Sequence, residues 1–230
     1  AHRGGRARWG HRGVYESFAS LREGMLLQVR ALLARFPSAK GLFVTGHSLG
    51  AGQAIFGADE LAAAFPDVRV VMYTFGTPRV GDVTFVRRFA ATPNLEAWAV
   101  AHRADTVPEC GIDGNPSCVI TENAFEEIAY GACPDCSPDV LGRVAYHQLA
   151  HSVWYPADLA TAGPAAGYVV CEGEDAHCEN SVPSGLLNWD DHQLYLGHTM
   201  QCCDGGDHGT SGEGCSHPFH ASSKAIVLYA

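Results

Sequence analysis

Residues 41–52 read GLFVTGHSLGAG, and this stretch decides the fold. A short, continuous apolar run, typical of a strand buried on both faces, ends at Gly46, and a serine follows two residues later. An apolar helical pattern begins directly after Ser48 and continues to about Phe65, where a proline stops it. A strand that turns sharply into a helix exposes the serine hydroxyl and leaves the Leu49 amide free at the helix N-terminus. The stretch therefore predicts a nucleophile elbow.

The small residues around the serine fit that prediction. Gly46 and Gly50 lie two residues before and two after Ser48, where the strained turn leaves little room for side chains. The helix dipole would assist the Leu49 N–H in donating to a developing oxyanion. The pattern G-x-S-x-G is weak evidence when it stands alone, so the chemistry also requires a histidine base and a carboxylate.

The rest of the chain alternates helices and strands. Apolar residues at three- and four-residue steps predict a long helix from Val14 to Phe36. Further strands are predicted at 68–76 and 95–103, with a helix between them at 82–91 that Asp82 caps. This alternation is typical of a largely parallel sheet joined by right-handed crossovers.

We predict one domain over residues 1–203, with a Cys-rich, loop-rich insertion at about 106–147. The chain returns to the core after the insertion, with YVVC (168–171) as a short strand. Residues 204–230 are assigned to a Gly-, Ser- and His-rich tail. The arginine-rich stretch at 1–13 is expected to be a solvated end.

Composition excludes some classes of protein. The net charge of −10 argues against a nucleic-acid partner, because phosphate contacts need clustered Lys and Arg. Nine cysteines indicate disulfides in an oxidising compartment, and the odd number leaves at least one thiol without a partner in the chain. No apolar stretch is long enough to span a bilayer, and no signal peptide is evident. The chain lacks an initiator Met, so we expect a processed product or a fragment.

A serine nucleophile of this kind is followed along the chain by the acid and then by the histidine. Asp105 comes directly after the strand at 95–103, where active sites form at the carboxyl ends of strands. Its alternatives are Glu109, Asp113 and an ordinary turn role beside Pro108. Twelve histidines compete for the base. Four of them follow Asp105 along the chain and lie outside the predicted loops and tail: His147, His151, His192 and His198. The residue pattern by itself leaves His192 and His198 as competitors for the role of base.

Five ordered motifs carry a resemblance: VTGHSLGAGQA, YTFGTPRVGD, AHRADTVP, VWYP and DHQLYLG. Together, over about Val14 to Cys203, the chain resembles the class 3 lipases, a family of α/β-hydrolases. The resemblance implies an α/β-hydrolase-type, mostly parallel sheet with helices on both faces. It implies Ser48 as nucleophile, Asp105 as orienting acid and His192, which heads the family motif H-x-x-Y-x-G, as base. His198 does not match that motif, and His147 looks like a structural histidine.

The resemblance also implies a serine carboxylic-ester hydrolase that needs no cofactor or metal and acts on an acylglycerol-type ester, in solution or at a lipid interface. It implies a secreted protein, whose oligomeric state the sequence does not address. Only 13 residues precede Val14, so we expect the N-terminal strands, most of the lid and the second oxyanion donor of the family to be absent. The HRGG at 2–5 resembles an oxyanion motif of other esterases but follows no strand. The alternative function is therefore a catalytically impaired, lipase-derived binding or scaffold protein, or a truncated gene product.

Cysteine pairings come partly from the same resemblance. The family often closes a loop with a disulfide where Cys171 and Cys178 stand, so we predict that pair. Four cysteines in the insertion are expected to form two more disulfides, with a zinc site as the alternative; they are Cys110, Cys118, Cys133 and Cys136. The pairing of Cys202, Cys203 and Cys215 cannot be deduced.

Overall fold

The computed structural model describes residues 8–108, 127–130, 147–157, 167–200 and 224–229. The helices are α1 (Arg12–Arg35), α2 (Leu49–Ala64) and α3 (Val83–Ala90). The strands are β1 (Arg8–His11), β2 (Gly41–His47), β3 (Arg69–Phe75), β4 (Leu95–His102), β5 (Glu127–Tyr130), β6 (His151–Tyr155), β7 (Val169–Glu172), β8 (Leu194–Tyr195), β9 (His198–Thr199) and β10 (Lys224–Tyr229). Short 3-10 turns at Glu179–Ser181, Ser184–Leu186 and Asp191–Gln193 lie between β7 and β8.

Six strands form the central sheet in the order β10-β2-β3-β4-β6-β7. The four inner strands run parallel, and the two edge strands, β10 and β7, run antiparallel to their neighbours. The predicted mostly parallel sheet is therefore confirmed. Parallel strands bring their carboxyl ends to one edge of the sheet, and that edge carries the ends of β2, β3 and β4.

Helix α2 is apolar on nearly every side because other elements surround it. Its Ile55 and Leu61 belong to the same buried core as Leu42 and Met72 of the sheet. Its Phe56 contacts aromatic rings of both other helices, Phe18 of α1 and Phe85 of α3. The three described helices thus pack together, and a second helical layer on the opposite face of the sheet stays a prediction.

The ends of the helices follow local sequence signals. Helix α1 ends at Arg35, because Pro37 cannot continue it. The Asp82 side chain accepts a hydrogen bond from the Phe85 amide at 2.7 Å, which confirms the predicted cap of α3.

Residues 224–229 correct the predicted C-terminal tail. They form β10, which pairs with β2 from Lys224 opposite Gly46 to Tyr229 opposite Gly41. The physical reason is that KAIVLY is apolar and β-prone, and the edge of β2 offers it a complete row of backbone donors and acceptors. The Gly-rich residues before it, 204–223, lie outside the described ranges, and the other domain boundaries stay predictions.

The N-terminal region differs from the prediction in a similar way. Residues 8–11, expected in a solvated end, form β1 and pair antiparallel with β5. Strand β5 belongs to the insertion that the sequence predicted to be rich in loops. Most of that insertion, including its four cysteines, lies outside the described residues.

Candidate active site

The turn after β2 holds the serine. Ser48 has φ 56° and ψ −127°, a strained conformation for a residue with a side chain. A Cβ atom on Gly46 would lie 2.3 Å from the carbonyl oxygen of Gly50, so only glycine fits there. The Ser48 amide donates to the Phe75 carbonyl at 3.0 Å and so fastens the turn to the end of β3. Strand, strained serine and helix follow one another as in the predicted elbow.

His192 lies in the 3-10 turn before β8 and faces the serine. Its Nε2 atom is 2.8 Å from Ser48 Oγ, and its Nδ1 atom is 3.0 and 2.9 Å from the two carboxylate oxygens of Asp105. A carboxylate only accepts hydrogen bonds, so the Nδ1 atom carries the ring proton and Nε2 presents a lone pair to the serine. The structure therefore brings together the three residues that the sequence singled out.

Asp105 follows β4 and is 3% exposed. Besides His192, it accepts hydrogen bonds from the Val107 amide at 2.8 Å and from the Tyr195 hydroxyl. Burial, and then the nearby Asp105 charge, raise the pKa of Tyr195 well above its ordinary value, so the phenol stays a donor. Tyr195 is the tyrosine of the motif H-x-x-Y-x-G that His192 heads, and its place in that motif is the sequence signal for this role.

Gly76 makes room for the histidine and the carboxylate. It directly follows β3 and has φ +54°, and an added Cβ would lie 2.7 Å from His192 Cε1 and 3.0 Å from Asp105 Oδ2. No local pattern marks this role, because the clash involves residues far along the chain. Gly76 stands within the motif YTFGTPRVGD, and the motif alone predicts no function for it.

Hydrogen bonds tie the segment before His192 to the segment before Asp105. The Asn188 amide donates to the Ala104 carbonyl at 2.9 Å, and the Ala104 amide donates to the Asp191 carboxylate at 3.1 Å. Asn188 also donates from its side chain to Asp191 at 2.8 Å. The two segments are thus held side by side, which fixes the distance between acid and base. The sequence signal for this link is NWDDH (188–192), because Asn and Asp side chains favour hydrogen bonds to nearby backbone groups.

His47 touches His192 rather than the serine. Its Nε2–H donates to the His192 backbone carbonyl at 2.8 Å, and the two rings stack with centroids 4.5 Å apart. Burial, and then the neighbouring His192, lower the pKa of His47. Trp189 contacts His192 as well, with ring centroids 4.6 Å apart, and is 43% exposed.

The other candidate residues lie elsewhere. His198 is exposed on β9, so the predicted preference for His192 agrees with the geometry. His102 is buried and hydrogen-bonds the Asp191 carbonyl, as a packed core histidine would. The His147 amide donates to the Gly81 carbonyl, a structural contact. Glu109 and Asp113 lie outside the described residues.

The disulfide between Cys171 and Cys178 is present, which confirms that prediction. The loop that it closes contains Glu174, which forms a two-pronged ion pair with Arg79, at 3.1 and 2.8 Å. Arg79 is almost completely buried and also donates to the Pro108 carbonyl, three residues after Asp105. Burial alone would raise the pKa of Glu174, but the hydrogen bonds and charge of Arg79 lower it below its ordinary value.

Glu179 lies buried beside this loop. Burial raises its pKa, and its Oε2 atom has no hydrogen-bond partner among the described residues. Cys171, Cys178 and Glu179 are close enough to be considered as metal ligands. The two sulfurs are bonded to each other, however, so they supply no thiolate.

Known lipases are similar to this chain in sequence and in fold. Residues 7–113 match the family model described as "Lipase (class 3)", a match that includes Ser48 and Asp105. The matched stretch, just under half of the chain, is therefore similar to the class 3 lipases. The chain is 29% identical over 167 residues to "Lipase ZK262.3" of Caenorhabditis elegans, covering 68% of this chain and 44% of that protein. It is 27% identical over 184 residues to "Phospholipase A1-II 3" of Oryza sativa subsp. indica, covering 76% of this chain and 42% of that protein.

The chain thus spans less than half the length of these two curated relatives. Its fold resembles the crystal structure of the lipase from Rhizopus microsporus var. chinensis, with a TM-score of 0.61 and 24% identity over 83% of this chain and 55% of that one. Among the described residues, no helix combines the length and the apolar character needed to cross a membrane.

Proposed function

We propose that this chain is a class 3 lipase-like serine hydrolase of carboxylic esters. The observation that carries the proposal is the continuous hydrogen-bonded chain from Ser48 through His192 to Asp105. A serine hydroxyl is a weak nucleophile until a positioned base takes its proton, and these three groups have the geometry for that transfer.

In the first step Ser48 Oγ attacks the ester carbonyl carbon while its proton moves to His192 Nε2. The negative oxygen that develops on the substrate accepts a hydrogen bond from the Leu49 amide, which begins α2 and has no acceptor within its own helix. His192 then gives the proton to the departing alkoxide, leaving an acyl-enzyme and a free alcohol. Water attacks the acyl group in the second step, with His192 again as base, and releases the acid and Ser48.

Asp105 stabilises the imidazolium that forms on His192 in each step. The carboxylate is buried, holds the Nδ1 proton and is itself held by Tyr195 and the Val107 amide. Removing such an orienting acid costs about 10⁴-fold in kcat in the best-studied serine hydrolases. We assign one oxyanion donor, Leu49, and no second one.

The proposed substrate is an ester of an acylglycerol or a phospholipid. Support comes from the relatives, which are named lipase and phospholipase A1. Leu49, beside the nucleophile, is 54% exposed and Trp189 borders the base, so both offer apolar surface next to the reacting groups. We also propose a secreted protein, because the Cys171–Cys178 disulfide is typical of an oxidising compartment.

A fluorophosphonate probe tests the proposal, because it labels only activated serines. We expect labelling of the purified protein and hydrolysis of p-nitrophenyl, triacylglycerol and phospholipid esters. Ser48→Ala should abolish both, whereas Ser20→Ala, at an exposed serine of α1, should change neither. An unlabelled, folded protein that still binds lipid vesicles would instead support the binding or scaffold alternative.

A further inference from the structure

His47 is a second imidazole beside the proposed base, and the proposed mechanism gives it no task. It precedes the nucleophile directly, so the rigid elbow fixes its backbone. Its ring stacks on His192 with an interplanar angle of 29°, and it also meets the Tyr195 ring edge-on at 5.6 Å. A side chain packed in this way between the elbow and the base has little freedom of its own.

The hydrogen bond of His47 fixes its tautomer. A carbonyl oxygen only accepts, so the Nε2 atom that lies 2.8 Å from the His192 carbonyl must carry a proton. Neutral His47 therefore has its proton on Nε2, and Nδ1 is the atom that would take a second one. The backbone of His192 is held by this donor while the ring of His192 is held by Asp105.

We propose that His47 is a positioning residue that must stay neutral for the hydrolase to work, an inference that rests on the proposed function. The neutral ring holds the backbone of His192 through its Nε2–H. A protonated His47 would place a positive charge against the imidazolium that His192 becomes at each transition state. The two ring centroids are 4.5 Å apart in a mostly buried site, so positive charges on both rings at once would repel each other strongly.

The groups that face His47 fit this assignment. His192 comes from the 3-10 turn, Tyr195 from β8 and Asp105 from the loop after β4. Burial and His192 lower the pKa of His47, while its bond to the His192 carbonyl and the charge of Asp105 act in the opposite direction. The net shift is downward, so His47 is neutral through the neutral pH range. At acidic pH a second protonation, separate from that of His192, should inactivate the site.

Two substitutions separate the roles of the donor and the charge. His47→Gln keeps an amide donor near the position of Nε2 but cannot titrate. We expect its kcat above pH 7.5 to stay within about threefold of the wild type, with KM unchanged. His47→Phe keeps the ring and loses the donor, and we expect its kcat to fall about tenfold at every pH. His177→Gln removes an exposed, titratable histidine and serves as control.

The decisive readout is the acid limb of the pH–rate profile. At the lowest pH values the logarithm of the activity of the wild type and of the control should fall with a slope of two per pH unit, because two protons bind. The slope for His47→Gln should be one. The proposal is overturned if the acid limb of His47→Gln matches that of the wild type. It is also overturned if kcat of His47→Gln at high pH falls tenfold, as much as kcat of His47→Phe.

An NMR titration of the His47 imidazole does not depend on hydrolysis, so it is informative even if the proposed function fails. Burial and His192 lower the pKa of His47, so the resonance should titrate below pH 6.5, and His192→Gln should move the midpoint upward. A midpoint that His192→Gln leaves unchanged would show that the two rings do not interact electrostatically and would overturn the proposal. Loss of ester hydrolysis with the expected NMR shift would instead disprove the hydrolase function alone.

Discussion

Gly76→Ala adds one methyl group at the point where the base and the acid meet. The new Cβ would lie 2.7 Å from His192 Cε1, 2.8 Å from His192 Nδ1 and 3.0 Å from Asp105 Oδ2. All three distances are shorter than ordinary van der Waals contact, and neither neighbour is the free end of a flexible side chain. The ring of His192 must therefore move away from its place beside Ser48.

The size of the effect follows from these distances. Non-bonded carbon atoms prefer a separation of about 3.5 Å or more, so the ring must shift by roughly 0.8 Å. Because a misplacement of about 1 Å costs on the order of 10²-fold in rate, we expect kcat to fall by about 30- to 100-fold. The positive φ of +54° adds a separate cost of about 1–2 kcal/mol in the free energy of unfolding.

Gly173→Ala is the matched control. Gly173 has φ +57°, nearly the same backbone conformation, but a Cβ there would meet nothing within 4 Å. Both variants therefore carry the backbone cost, and only Gly76→Ala carries the clash. Urea unfolding would measure the first, and p-nitrophenyl ester hydrolysis by folded protein would measure the second.

The reasoning would be refuted if folded Gly76→Ala hydrolysed esters as fast as the wild type. The position of His192 would then not depend on the space that Gly76 leaves. Equal losses of activity in both variants would show instead that the backbone conformation, and not the clash, is the cause.

Three further predictions concern the surroundings of the site. Tyr195→Phe removes a donor to Asp105 and should lower kcat about tenfold in steady-state assays, with KM unchanged. Burial raises the pKa of Glu179 above 4.5, so ionising this group as the pH rises from 4 to 8 should lower the free energy of unfolding measured in urea. Glu179→Gln should remove that loss. Parallel plots of unfolding free energy against pH for the wild type and the variant would contradict the prediction. Replacing Cys171 and Cys178 by Ala should lower the free energy of unfolding by about 2–3 kcal/mol in non-reducing calorimetry.

Sequence patterns predicted those helices, strands and caps that depend on interactions between residues near one another in the chain. The strand before Ser48, the helix after it and the cap at Asp82 follow from hydrophobic periodicity and side chain–backbone bonding, and the structure contains all three. The choice of His192 over His198 came from a motif, because the residues alone left both open. Residue patterns could not decide between the two histidines, because only the folded chain brings residues 48, 105 and 192 together.

Contacts between distant segments were not predictable from the sequence. Gly76 matters only because His192 approaches it, and Asp191 only because it accepts from the Ala104 amide. The stretch KAIVLY was assigned to a tail because the residues before it are rich in Gly, Ser and His. Its partner, β2, lies near the other end of the sequence, and no local signal names a partner so far away.

The pairing of β10 with β2 also bears on how the protein is made. Strand β2 is synthesised well before the segment that covers its edge, Lys224 to Tyr229. Until that segment is made, β10 cannot cover this edge of the strand that leads to Ser48, and contacts between such distant segments form slowly. We therefore expect nascent chains that stop before Lys224 to depend on chaperones, and the serine turn to reach its final geometry only late in synthesis.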